Sequence, residues 1–418
     1  MEQTVKHRCT TARVKFVDQA GNAIANKHVH FELKKHRFLF GCGAFDSIPL
    51  TNDISDEMLP FYDYKRTNDK EYYADRMRKW LDIFNYATLP FYWGDYEPTE
   101  GNPQYETRMN AADFMLEHNV TLKGHPLCWH TVCAPWLMEY DNKTILNKQL
   151  ARIEREVTAF KGKIDKWDVV NEAVIMPVYD RYDNAITRIC KEYGRVPLIK
   201  ELFAAARAAN PSATLLINDF NLSDDYRKLI SDCLDAGVSI DAIGIQTHQH
   251  QGYKGMAWLD DVLKRFSVFG LPLHFTENTL VSGEIMPAHI VDLNDYVVDE
   301  WPSTPEGEQR QAKEWEEMYV RLFNEPLVEA ITAWDFADGA WLKAPSGIIH
   351  EDGSIKPVYH TLKDYVHNKW HTSKTLVTDE DGYAEITGYR GSYEIKEDAR
   401  KGSFVLDTDM KEQRITLK

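Results

Sequence analysis

Lys166-Trp-Asp-Val-Val-Asn-Glu172 is a short apolar run that stops in an amide beside a carboxylate. A strand buried on both faces reads this way, and one that ends in polar groups delivers them to the mouth of a parallel sheet, where α/β folds keep their chemistry. The pattern returns in Leu271-Pro-Leu-His-Phe-Thr-Glu277. Outward from these two segments, strand-like and helix-like patterns alternate from about residue 38 to residue 370, the sequence form of a parallel α/β fold. Strands are predicted over 38–43, 86–90, 121–124, 166–170, 214–218, 242–246, 273–276 and 330–334. Apolar residues at helical spacing mark helices such as 71–84, 143–160, 198–209, 226–236 and 306–323. Eight alternating units predict a closed TIM (β/α)8 barrel. No glycine-rich phosphate loop follows the first strand to favour a nucleotide fold.

The two ends of the chain read differently. Residues 11–33 alternate apolar and polar side chains around Asp18-Gln-Ala-Gly-Asn22, which is hairpin chemistry. Residues 375–418 repeat that style, with a turn at Thr378-Asp-Glu-Asp-Gly382 and short strands at 383–387, 391–395, 403–406 and 414–417. An isolated hairpin is marginally stable, so the terminal segments are expected to pack together as one small β-sandwich beside the barrel. The expected organisation is 1–36 and 373–418 for this accessory domain and 37–372 for the barrel. Its β domain shows no exposed aromatic stripe that would argue for sugar binding, and is read as structural.

The 418 residues exceed the ~250 of a bare barrel, leaving room for that accessory domain. The 49 Lys and Arg against 65 Asp and Glu give a net charge of −16, which argues against nucleic acid or an anionic membrane as partner. It fits a neutral substrate. With 11 Trp and 21 Tyr, the chain has many rings on which sugars can stack, although much of that content must be core. Cys9, Cys42, Cys128, Cys133, Cys190 and Cys233 show no CxxC pairing. They read mainly as buried thiols, with Cys128 and Cys133 the pair whose bridging stays open. No run of ~18 apolar residues exists to span a membrane. The start lacks the apolar stretch of a secretory signal. Either the protein is cytoplasmic or a signal has been removed, and a secreted or periplasmic location is expected. The sequence leaves the oligomeric state open.

Polar and aromatic residues concentrate at the predicted strand ends: Gly124-His-Pro-Leu-Cys-Trp-His130 after the third, Asn171-Glu172 after the fourth, Gln246-Thr-His248 after the sixth, Glu277 after the seventh, and Trp334 with Trp341 after the eighth. A lone histidine is more often structural than catalytic, but five such ends face one cavity in a barrel. Two strand-end carboxylates can serve as acid/base and nucleophile in cleaving a glycosidic bond. Metal binding by His248 and His250, or by His125 and His130, is the competing reading. It lacks a carboxylate or cysteine at ligand spacing, so no metal and no cofactor are expected.

In these motifs, together with Trp167-Asp-Val-Val-Asn-Glu172, Phe275-Thr-Glu277 and Lys356-Pro-Val-Tyr359, the chain resembles glycoside hydrolase family 10, the barrel xylanases, over residues 38–370. The resemblance implies that Glu172 is the general acid/base and Glu277 the nucleophile of a retaining endo-1,4-β-xylanase. It implies that Asn171 bonds the sugar 2-OH and that Gln246 and His248 hold the nucleophile. By the same resemblance His125 and Trp129 line the glycone side, and Trp334 and Trp341 form the floor and wall of the cleaving subsite.

One stretch departs from the family pattern. Family 10 xylanases usually carry Glu-Asn and then Lys shortly before a Trp at the end of the second strand. Here that stretch reads Asn85-Tyr-Ala-Thr-Leu-Pro-Phe-Tyr-Trp93-Gly-Asp-Tyr-Glu97-Pro98. Trp93 survives and is expected to bind substrate, with 89–93 offering an aromatic surface in place of polar contacts. Asn278 follows the nucleophile where a Leu is usual. Two further readings stay open: hydrolysis of another β-glycoside, and a carbohydrate-binding barrel without turnover.

Overall fold

Eight parallel strands close on themselves: Leu39–Gly43, Tyr86–Pro90, Thr121–His125, Lys166–Asn171, Thr214–Asp219, Ala242–Gln249, Leu273–Leu280 and Val328–Ala333, taken below as barrel strands one to eight. The computed structural model describes residues 5–53, 69–408 and 412–418. Strands six and seven run further than the periodicity predicts, so His248 and Glu277 stand within strands. The strands are buried on both faces, the outer one under helices such as Asn142–Ala159 and Pro305–Phe323, and their polar residues gather towards the C-terminal ends. Both helices start where the sequence offers a cap. Asp141 accepts the Thr144 N–H at 2.7 Å, and Thr304 accepts the Gly307 N–H at 3.0 Å ahead of Pro305. Two glycines let side chains of neighbouring strands close in. A Cβ at Gly124 would lie 2.1 Å from the Trp167 ring, and one at Gly244 would lie 2.3 Å from Asn218 Oδ1.

The chain divides into two compact units, at Phe40/Gly41 and at Tyr359/His360. The pattern of the sequence puts these limits at 36/37 and 372/373. Trp370 explains the C-terminal difference, since it stacks within the smaller unit on Phe40 at 5.7 Å and Tyr365 at 4.7 Å between ring centres.

The smaller unit holds two sheets. In one, Cys9–Val17 lies between Tyr383–Tyr389 and Glu412–Thr416; in the other, the order is Ser373–Val377, His28–His36, Gly391–Glu397, Arg400–Leu406. Phe16 of the first sheet meets Phe31 of the second edge-on at 5.7 Å, and Phe31 meets Phe404 at 5.9 Å. Alternate residues of both sheets thus share a core, as a sandwich requires. One local expectation is corrected. The turn at 18–22 forms, with Asp18 Oδ1 accepting the N–H of Ala20 and of Asn22, but its flanking strands are not hairpin partners. They lie in different sheets, which lets Phe16 and Phe31 face each other across the core. All six cysteines are free thiols, Cys128 and Cys133 included.

Candidate active site

Glu172 follows the fourth strand directly, and its backbone is left-handed at φ +56°. A non-glycine residue held there is strained by about 1–3 kcal/mol. The loop after strand three and strand five hold the backbone here: the Asn171 N–H donates to the Cys128 carbonyl at 2.9 Å and the Glu172 N–H to the Asn218 carbonyl at 2.8 Å. Glu277 reaches the same cavity from the seventh strand and is 4 % exposed.

A hydrogen-bond network joins the two carboxyls. Asn218 Nδ2 donates to Glu277 Oε1 at 2.7 Å and to Asn171 Oδ1 at 2.8 Å, while its own Oδ1 accepts from Thr276 Oγ1 at 2.6 Å. His248 Nε2 lies 3.1 Å from Glu277 Oε2. Trp129 Nε1 donates to Glu172 Oε2 at 2.8 Å. The expectation that Gln246 holds the nucleophile is corrected: its amide donates to Asn171 Oδ1 at 3.0 Å and reaches Glu172 Oε1 at 3.4 Å, so it serves the acid/base side. Asn218 takes the place assigned to it. His125 is almost fully buried, its Nδ1 2.7 Å from Asp168 Oδ2 and its Nε2 3.9 Å from Glu277 Oε1. Lys123 Nζ lies 2.6 Å from the same Asp168 oxygen, so Lys123, Asp168 and His125 form a buried polar chain behind Glu277.

These surroundings push the two proton affinities apart. Burial, then the negative charge of Glu277, raises the Glu172 carboxyl to about 8. The Trp129 N–H works against this rise, and Asp219 adds to it. Burial would raise Glu277 too, but His125, the His248 contact and Lys123 more than offset it, and its carboxyl lies below the ordinary value. One carboxyl therefore keeps its proton where the other has lost it, the division of labour that acid/base and nucleophile require. His130, with Nε2 3.9 Å from Glu172 Oε2, is pushed down to about 3 by burial and stays neutral.

The cavity, of about 810 Å³, is lined by both glutamates and by His125, Trp129, Asn171, Gln246, His248, Trp334 and Trp341. Trp341 packs on His248 at 4.8 Å and Trp334 on His125 at 5.3 Å, so both tryptophans stand around the imidazoles beside Glu277. Trp93 does not line the cavity. Its indole donates to Glu97 Oε2 at 3.0 Å and meets Trp136 edge-on at 5.6 Å. Phe91 is likewise core, packed on Phe160 and Trp167. Of the aromatics in 89–93, Tyr92 alone reaches the cavity, tilted on Trp129 at 5.5 Å and edge-on to His125 at 5.7 Å. Sequence reasoning offered 89–93 as an aromatic surface without singling out Tyr92, and it missed Asn218. Asn218 had a signal, since Thr214-Leu-Leu-Ile-Asn-Asp219 ends as Val-Val-Asn-Glu172 does.

A family model described as Glycosyl hydrolase family 10 matches residues 85–365. Among curated proteins, the chain is similar to endo-1,4-beta-xylanase A of Caldicellulosiruptor sp. (strain Rt8B.4), 30% identical over 201 residues, which is 43% of this chain and 29% of that protein. It is similar also to endo-1,4-beta-xylanase B of Thermotoga neapolitana, 26% identical over 294 residues, covering 66% of this chain and 78% of the relative. The match thus spans under a third of the first relative's length. Among solved structures, a GH10 structure from Paenibacillus barcinonensis superposes with a TM-score of 0.62 at 21% identity, over 79% of this chain and 95% of the other. That likeness is one of fold.

Proposed function

Since the chain belongs to glycosyl hydrolase family 10, we propose that its barrel is a retaining, endo-acting hydrolase of β-1,4-xylosidic bonds in xylan, working by double displacement. The observation that carries this reading is two buried carboxyls on one cavity, Glu172 held by the Trp129 indole and Glu277 by Asn218 and His248, surroundings that raise the first to about 8 and keep the second low. Glu277 attacks the anomeric carbon while Glu172 gives its proton to the departing oxygen. Once the glycosyl-enzyme forms, the charge on Glu277 is gone. The main electrostatic cause of the raised Glu172 value goes with it, so Glu172 ionises and activates water for the second step.

The supporting residues divide between the two roles. Asn218 and His248 fix the nucleophile's rotamer, and Trp129 and Gln246 fix the acid/base. Asn171 spends its carbonyl on Asn218 and Gln246 and directs one N–H towards Glu172. A second N–H remains for a sugar hydroxyl that bonds more strongly as the transition state develops. Trp334 and Trp341 offer ring faces to the sugar over Glu277. The names of both relatives support xylan as substrate, and a polymer of that kind favours a secreted or periplasmic enzyme.

A second reading, hydrolysis of a different β-glycoside, is favoured by one observation: the second strand end presents Tyr92 to the cavity and buries its neighbours. The test is xylan hydrolysis followed by NMR of the anomeric protons. Release of β-configured oligosaccharides supports the proposal. α-Configured products overturn the mechanism, and no release from xylan alongside turnover of another β-glycan overturns the substrate.

A further inference from the structure

The loops after strands four and seven touch. Arg181 Nη1 lies 2.7 Å from Asp292 Oδ2 and 2.9 Å from Asp295 Oδ1, and both Arg181 and Asp292 line the catalytic cavity. In the closed barrel, strands five and six separate four from seven on one side, and strands eight, one, two and three on the other. The contact is therefore a chord across the ring of strand ends. Glu172 and Glu277 come from the ends of the same two strands, so a glycan bound between the carboxyls crosses that chord. Phe220, Ser223 and Trp258 line the cavity on one side of it, and Tyr92, Trp334 and Trp341 on the other.

Each half of the clasp is anchored without the other. Asp292 Oδ1 accepts the backbone and side-chain N–H groups of Asn294, both at 2.9 Å, which leaves Oδ2 for Arg181. The Gln251 amide ties the same loop to the sixth strand end through the carbonyls of Pro287 at 3.0 Å and Ile290 at 2.8 Å. On the opposite side, Tyr182 Oη accepts the Val132 N–H at 3.0 Å, and Tyr179 packs on His130 at 4.3 Å. The ion pairs that join the halves are exposed: Arg181 by 44%, Asp292 by 41% and Asp295 by 62%. Such pairs are weak and screened by salt.

Resting on the glycosidase reading above, we propose that the Arg181–Asp292/Asp295 clasp gates attack within a long chain. A glycan bound over both carboxyls continues on both sides of the chord. A short substrate or a chain end passes beneath the clasp. An interior stretch of polymer enters sideways only when the clasp is open, so its apparent affinity is reduced by the fraction of molecules that are open. Arg181, Asp292 and Asp295 thereby set the preference between polymer and short substrate without touching the reacting atoms.

The test compares wild type with Arg181→Ala, and with the double variant Asp292→Asn, Asp295→Asn, on soluble xylan and on an aryl β-xyloside. The ratio of kcat/KM for polymer to that for the aryl glycoside is expected to rise about two- to five-fold in both variants, the range that exposed ion pairs support. Added salt should raise the wild-type ratio and leave that of the variants unmoved. A ratio unchanged in both variants while the aryl glycoside is turned over normally overturns the gate alone. Absence of turnover of either substrate by the wild type overturns the glycosidase reading as well.

Discussion

Glu172→Gln should stabilise the protein at alkaline pH and not at acid pH. The carboxyl is raised from an ordinary 4.5 to about 8 in the folded protein, first by burial and then by Glu277. A group raised in this way contributes stability that is fully present below 4.5 and lost as pH climbs through the folded value, because the unfolded chain releases its proton first. At about 1.4 kcal/mol per pH unit, the span from 4.5 to about 8 corresponds to about 5 kcal/mol. Relaxation and water entry on ionisation reduce this to a few kcal/mol. Glutamine has the shape of the protonated acid and no charge to lose, so it escapes the penalty. Unfolding entropies of about 2 cal/mol/K per residue give the barrel unit, Gly41–Tyr359, a shift of ~1.5 °C for each kcal/mol. The expected gain is therefore ~5 °C at pH 9 and near zero at pH 4, read by scanning calorimetry of both proteins across pH. Groups common to both proteins cancel in the difference. A gain of the same size at pH 4 and pH 9 would refute the reasoning, since it would mean that glutamine simply packs better.

Three other substitutions separate the roles of neighbouring residues. Glu277→Ala should lose several orders of magnitude in kcat on aryl β-xylosides while keeping a wild-type melting transition; residual turnover within tenfold of wild type would remove Glu277 as nucleophile. Asn218→Ala deletes an N–H that stabilises the Glu277 carboxylate, so the acid limb of the kcat/KM profile should move to higher pH. A hydrogen bond to a charged group is worth about 1.5–3 kcal/mol, or roughly ten- to a hundred-fold in kcat/KM, and an unmoved limb would count against the contact. Trp93→Phe removes the donor to Glu97 but nothing from the cavity. Its melting temperature should fall while kcat/KM stays within about twofold of wild type, and a selective rise in KM would return Trp93 to the site.

The barrel was legible because a strand covered on both faces must be apolar along its length, and an apolar run that stops in polar residues marks its open end. That rule found Glu172 and Glu277 directly. It found His248 as well, although it placed the strand end too early. It did not assign partners. Whether Gln246 turns to Glu277 or to Asn171 depends on the register between strands six and seven, which slips by one residue between Ile245 and Gln246. A slip of one residue exchanges the faces of the side chains beyond it, and nothing in the sequence announces this one. The same limit hid the exchange of strands in the smaller unit, where a well-formed turn at 18–22 looks local but sends the chain into the opposite sheet.

The second strand end carries the same lesson into specificity. Phe91, Tyr92 and Trp93 are consecutive, and in an extended strand alternate residues would share a face. The chain instead enters the helical turn Trp93–Tyr96 at once, which turns Trp93 back towards Trp136 and Arg152 and leaves Tyr92 alone on the cavity. Tyr92 there packs in one cluster with Phe45 and Trp334, and Trp129 and Trp341 lie against it. A phenol ring packed in this aromatic cluster has little freedom to make way for a ligand, and it offers a flat, mostly apolar face. The two carboxyls come from strands four and seven, outside this substituted stretch. Recognition of the sugar on the Tyr92 side depends on it, so mechanism and substrate choice are carried by different parts of the same ring of strand ends.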